Sequence, residues 1–128
     1  MRGRPLHHIA LGTPRVEVLA AFYEEALGLK RIRSHQDSTN ELRSIWLRSD
    51  TVVLMVERTA YLESMEHEPL RSGWATLIFG GTFDPLALTQ NVQRLGGAED
   101  GATDYTYYFR DPDGNRFGVS SYVFEDNA

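Results

Sequence analysis

Val16, Leu19, Ala20, Tyr23 and Leu27 recur at the spacing of one face of a 3.6-residue helix. Thr13 stands before them in the position of an N-cap. Pro14 takes the first helical position, where a missing N–H costs nothing, and Gly28 ends the run. Ahead of this helix, residues 6–11 form a short extended run that Gly12-Thr13 breaks. Behind it, residues 30–33 read as a short charged strand, and the polar stretch 34–40 as a loop or an exposed hairpin. Residues 42–48 alternate, setting Leu42, Ser44 and Trp46 against Arg43, Ile45 and Leu47. Residues 51–57 are β-branched and mostly apolar, as a buried strand is.

The order then repeats. Residues 58–72 carry charge and Pro69 and read as a linker with a helical turn; its Glu63, Glu66 and Glu68 form a solvated face or a lid. Residues 74–79 are a strand and Gly80-Gly81 a break. Asp84-Pro85 repeats the cap-then-proline start, and Leu88, Val92 and Leu95 give a second helical stripe closed by Gly96-Gly97. A polar stretch (98–104), an aromatic strand (105–110), the turn Asp111-Pro112-Asp113-Gly114 and a last strand (116–123) follow. Each half therefore reads β-α-β-β-β, a duplication of secondary structure rather than of letters. The expected fold is α+β: one domain, 1–128, made of modules 6–57 and 74–122 joined by linker 58–73.

Alternate residues of a strand share a face. Ile9 and Leu11 oppose His8 and Ala10; Leu54 and Val56 oppose Val53, Met55 and Glu57. Ala75, Leu77 and Phe79 oppose Trp74, Thr76 and Ile78, and Phe117 and Val119 oppose Arg116, Gly118 and Ser120. The first set is apolar and buries the helix stripes. The second mixes imidazole, thioether, indole, hydroxyl and glycine, which is the composition of a cavity lining; an interface or a half-wet sheet is the plainer reading.

The 128 residues carry 13 Lys+Arg against 18 Asp+Glu, a formal charge of −5, and no cysteine. Without thiols there is no disulfide framework, thiolate nucleophile or zinc–thiolate site. The acidic balance argues against a nucleic-acid partner, which would favour a basic stripe. No apolar run approaches the roughly 18 residues of a membrane span, and the first ten residues lack a signal-peptide core. A cytoplasmic protein is expected. The chain holds no G-x-S-x-G, H-E-x-x-H or Walker A pattern, and Asx hydrogen bonding accounts for Asp111 and Asp113. His7 is expected on the face opposite His8, and His35 and His67 in solvated loops.

His8-Ile9-Ala10-Leu11, the proline-started helix with Phe22-Tyr23, Leu27-Gly28-Leu29, and the run Phe109-Arg110-Asp111-Pro112-Asp113-Gly114-Asn115-Arg116-Phe117 resemble the glyoxalase/bleomycin-resistance/dioxygenase group. This is the vicinal oxygen chelate superfamily, and the similarity spans roughly residues 6–122. It implies paired βαβββ modules, helices outside, whose mixed sheet curls around a cavity. Relatives often complete that cavity by pairing, so a homodimer is expected.

The resemblance also implies where a divalent cation would sit, since the family's metal enzymes place ligands on the first, fourth, fifth and eighth strands. By position these fall on His8, Met55, Trp74 and Gly118. Only His8 is a ligand type suited to such a site, with Glu57 two residues beyond Met55 as a shifted carboxylate. His8 reads either as a ligand or as a hydrogen-bonded histidine of the cavity wall.

Three functions compete. The leading one is a metal-free binder of a small organic molecule, of the bleomycin-resistance type, with no cofactor. Its expected ligand-binding residues are His8, Trp46, Met55, Glu57, Trp74, Thr76, Tyr108, Gly118 and Ser120, and aromatic walls beside Glu57 would favour a flat or cationic guest. The alternative is a glyoxalase- or dioxygenase-like enzyme using a divalent metal on His8 and Glu57. The third is a structural domain with a closed cavity.

Overall fold

The structure, a computed structural model, describes residues 3, 5–59 and 75–124. The chain divides into two compact units, Met1–Glu68 and Pro69–Ala128. Trp74, His67 and nearly all of the expected linker lie outside the described residues.

In the first unit the elements are β1 (Ile9–Thr13), α1 (Val16–Leu27), β2 (Lys30–Gln36), β3 (Leu42–Ser49) and β4 (Val52–Arg58). The strands lie in the order β1-β4-β3-β2, with β1 parallel to β4 and the other pairs antiparallel. Ile45, Leu47, Leu54 and Val56 are register neighbours on one face, all buried, and α1 covers β3 and β4 there with Val16, Leu19, Ala20 and Tyr23. The predicted stripe is thus the core except for Leu27, which is half-buried, and Phe22 joins it.

α1 begins two residues later than the Thr13-Pro14 pattern predicts. Thr13 completes β1, is fully buried, and its Oγ1 accepts from the Arg15 N–H at 3.0 Å. Its hydroxyl caps the turn into the helix instead of the helix itself. Gly28 ends α1 as predicted, in the left-handed region at φ 70°, with its N–H on the Glu24 carbonyl.

Of the two readings of 34–40, a loop or an exposed hairpin, the structure has the exposed hairpin. β2 runs to Gln36, and the turn is confined to Asp37–Asn40, where Asp37 Oδ1 accepts from the backbone N–H groups of Thr39 and Glu41. Every residue of β2 is exposed, so no burial pattern announced it. Pairing with β3 made it a strand.

The second unit repeats the topology: β5 (Leu77–Gly80), α2 (Pro85–Arg94), β6 (Ala98–Ala102), β7 (Thr106–Arg110) and β8 (Arg116–Ser120), in the order β5-β8-β7-β6. The Asp84-Pro85 start holds. Asp84 Oδ1 accepts from the N–H groups of Leu86 and Ala87, and Pro85 opens the helix. Phe109 and Phe117 are register partners whose rings stack at 5.5 Å, buried as Val92 of α2 is.

Some boundaries differ from expectation: β5 runs Leu77–Gly80, β7 starts at Thr106 and β8 stops at Ser120. The polar stretch 98–104 supplies β6, the strand the β-α-β-β-β order requires, held by its ladder to β7 despite a composition of Ala, Glu, Asp and Gly. The two-module α+β fold read from the sequence is the fold observed. It consists of two four-stranded mixed sheets rather than a closed barrel.

Candidate functional site

Behind the buried face of the first sheet lies a second face. Register places Trp46 of β3 opposite Met55 of β4, Met55 opposite Ala10 of β1, and Ser44 and Gly12 on either side of Glu57. These are the side chains expected to share a face, and they do. His8 precedes β1, half-buried, with its ring 4.9 Å from the Trp46 ring. The indole N–H is satisfied within its own strand by Ser44 Oγ at 3.3 Å.

Two open clefts lie on this face, with Trp46 and His35 in the wall of both. The larger, about 490 Å³, is lined by His7, Arg33, Arg48 and Val53 in addition. The smaller, about 280 Å³, takes in Ser44, Met55, Glu57 and Arg43. Met55 and Glu57 therefore belong to a different cleft from the one at the His7 end.

Two histidine assignments change. His7 was expected on the opposite face, yet it lines the larger cleft, and its Nδ1 lies 2.8 Å from that of His8. The alternation rule fails there because residues 5–8 lie before the strand begins. His35 was expected in a solvated loop. It is exposed as expected, but as a β2 residue opposite Ser44, with its ring 6.3 Å from Trp46. Arg33, Arg48 and His35 went unnoticed as site residues. The alternation of β3 placed Arg48 with Trp46, but only the β2 ladder brings the other two beside them.

In the second unit Tyr108, Gly118 and Ile78 are neighbours across β7, β8 and β5, and Ser120 pairs with Thr106 on the same face. The Arg116 guanidinium lies 3.9 Å from the Tyr108 ring centre and its Nε donates to Asp100. Thr76 lies just before β5; its Oγ1 is buried with no hydrogen-bond partner among the described residues.

A metal centre of the kind the resemblance implies needs donors on these faces, and the residues present do not fit one. Gly118 offers no donor, and a Cβ there would lie 3.0 Å from Ile78 Cδ1 and 3.1 Å from Tyr108 Cδ1, so a carboxylate side chain would fit only if these neighbours gave way. Met55 offers only a soft thioether. Glu57 is level with Gly12, four residues beyond His8, which is about 13 Å of strand. Among the described residues no three His, Asp or Glu side chains gather.

Two βαβββ units with a mixed, cleft-bearing sheet face define a paired-module α+β protein. The sequence profile of the Glyoxalase/Bleomycin resistance protein/Dioxygenase superfamily matches residues 5–119, and the chain belongs to that superfamily. Solved structures share the fold. An integron cassette protein from the mobile metagenome of V. cholerae is 23% identical, with 96% of this chain and 98% of that one covered and a TM-score of 0.65. The fosfomycin resistance protein FosX of Listeria monocytogenes is 17% identical over 98% and 96% of the two chains, TM-score 0.74. The same FosX complexed with Mn(II) and sulfate ion is 17% identical over 98% of each chain, TM-score 0.72. No curated protein matches the sequence. No helix among the described residues is long and apolar enough to cross a membrane.

Proposed function

We propose that the protein binds a small organic molecule on the Trp46 face of its first sheet, without a metal, in the manner of a bleomycin-resistance protein. The observation that carries this reading is Trp46 itself. It is a half-buried indole set between two clefts, its N–H already bonded inside its strand, with imidazoles of His8 and His35 at 4.9 and 6.3 Å. A side chain so placed offers a flat apolar wall with polar groups converging around it, which is how small-molecule sites are built. The donor set supports the metal-free form: one imidazole at the family's ligand positions would leave a cation mostly to water. FosX has been crystallised with Mn(II); in this chain no three metal-ligating side chains gather among the described residues.

A homodimer in the cytoplasm, with no nucleic-acid or membrane partner, belongs to the same proposal. The exposed edge strand β2 is the kind of edge that pairing covers. Sedimentation equilibrium is expected to give twice the 14.5 kDa chain mass.

The test is a fluorescence screen of chelator-treated protein against a small-molecule library, run in parallel on Trp46→Phe, which leaves Trp74 as the remaining indole. Saturable hits that vanish in the variant and ignore added manganese or zinc support the reading. One tightly held metal per chain by elemental analysis, lost in His8→Ala, would overturn it in favour of the enzyme using His8 and Glu57.

A further inference from the structure

Among the described residues, Arg31, Arg58, Arg110 and Arg116 are neutralised by carboxylates. Arg31 reaches Glu17 and Glu24, Arg58 reaches Asp37 and Glu41, and Arg110 and Arg116 share Asp100. Arg33 and Arg48 are different: neither has an ion pair or a hydrogen-bonded side-chain partner among the described residues, and both line the larger cleft beside Trp46.

Their placement follows from the ladder. Arg33 is the register partner of Trp46 across β2–β3, and Arg48 is two residues along β3, on the same face. His7 and His35 add two imidazole rings to the wall, whereas among the described residues no carboxylate lines this cleft; Glu57 lies in the smaller one. The chain as a whole carries −5. A cleft that concentrates two unneutralised guanidiniums on an acidic protein is positive against its own background, and concave walls focus that field.

We infer that the molecule bound here is a planar anion: a flat ring system lying on Trp46, with a carboxylate or similar oxyanion reaching Arg33 and Arg48. Guanidinium forks match the two oxygens of such a group, and the indole supplies the apolar platform. The sequence expectation of a flat or cationic guest set aromatic walls beside Glu57; Glu57 does share the smaller cleft with Trp46, whereas on the other side of the indole the larger cleft carries Arg33 and Arg48. The inference deepens the small-molecule-binding proposal and rests on it, adding the charge and shape of the ligand.

Isothermal titration with three probes of one shape tests it: naphthalene-2-carboxylate, 2-(hydroxymethyl)naphthalene and 2-naphthylmethylammonium. The carboxylate should bind about tenfold more tightly than the alcohol, as expected for two partly exposed charge contacts, and the ammonium more weakly than either. Arg33→Gln and Arg48→Gln should each remove several-fold of that preference, weakening the carboxylate far more than the alcohol. Arg48→Lys should restore part of it, and added salt should erode it. Both arginines are exposed, so the variants should keep the circular dichroism of the parent.

If the alcohol binds as well as the carboxylate, or the preference survives in R33Q/R48Q, the charge assignment is wrong and the small-molecule proposal stands. If none of the three binds at millimolar concentration, this inference is overturned. The Trp46→Phe library screen then decides the broader proposal on its own.

Discussion

Arg33 lies directly across the β2–β3 ladder from Trp46, whereas Arg31, only two residues earlier, lies across from Leu47 on the opposite face. In a regular strand residues two apart share a face. The bulge between Arg31 and Arg33 breaks that rule, so one arginine serves α1, through Glu17 and Glu24, and the other serves the cleft. A single irregularity in an exposed edge strand thereby sets the charge of the proposed site.

Trp46→Ala should abolish the fluorescence-detected binding while leaving the protein folded. Trp46 is half-buried and packs on His8 and His35 rather than in the helix-side core. Partial loss of its apolar area should cost about 1–2 kcal/mol in urea unfolding. Leu47→Ala, one residue away but fully buried on the helix side, should cost about 2–5 kcal/mol.

Gly118→Glu installs the carboxylate that the resemblance implies at this position in the family's metal enzymes, and it should fail to create a metal site. The new Cβ would press on Ile78 Cδ1 and Tyr108 Cδ1, and the longer chain would also disturb the Arg116–Tyr108 stack. Overpacking of this kind should lower stability by about 1–3 kcal/mol. Manganese titration followed by thermal unfolding checks both halves; a metal-dependent rise in Tm would show that the second sheet can accommodate a chelate.

Acid should loosen the β2–β3 hairpin first. The Arg58 guanidinium, with help from the Thr39 hydroxyl and the Glu41 N–H, holds the Asp37 carboxyl well below the usual carboxylate range. A depressed folded-state pKa contributes stability that is fully present above the unfolded value, about 3.9, and is lost as pH falls from there toward the depressed value. Hydrogen exchange at Asp37–Asn40 should therefore lose protection below about pH 4, once corrected for the intrinsic exchange rate. In Arg58→Gln the Asp37 carboxyl should titrate nearer its ordinary value by NMR, and the acid-side loss of stability should become shallower.

The two Asp-led turns should differ in what they support. Asp84→Ala removes the acceptor for two N–H groups at the start of α2, a short helix with one buried residue, and should cost about 1 kcal/mol. Asp111→Ala should cost more, about 1–3 kcal/mol, because Asp111 is buried and accepts at 2.9 Å from Asp113 N–H, Asn115 N–H and the Asn115 amide. Equal losses in paired urea titrations would show that burial of Asp111 adds nothing to the turn.

The sequence by itself determined what depends on near neighbours in the chain. The stripe from Val16 to Tyr23, the stop at Gly28, the Asp84-Pro85 start and the Asp111–Asn115 turn are local, and local spacing predicts them. Because the same order of elements occurs twice, the two-module fold followed from those signals, as did the shared face of Trp46, Met55 and Glu57. Tertiary pairing decided the rest. β2 is polar but for Ile32, β6 is built only of Ala, Glu, Asp and Gly, and only hydrogen bonding to β3 and β7 makes them strands. The side of the sheet on which Arg33 and His35 lie depends on a bulge that no periodicity encodes, and the reach of His7 depends on a segment outside any strand. Faces within one strand are a matter of counting by two; the company a face keeps is set by register between strands, which is a property of the folded chain.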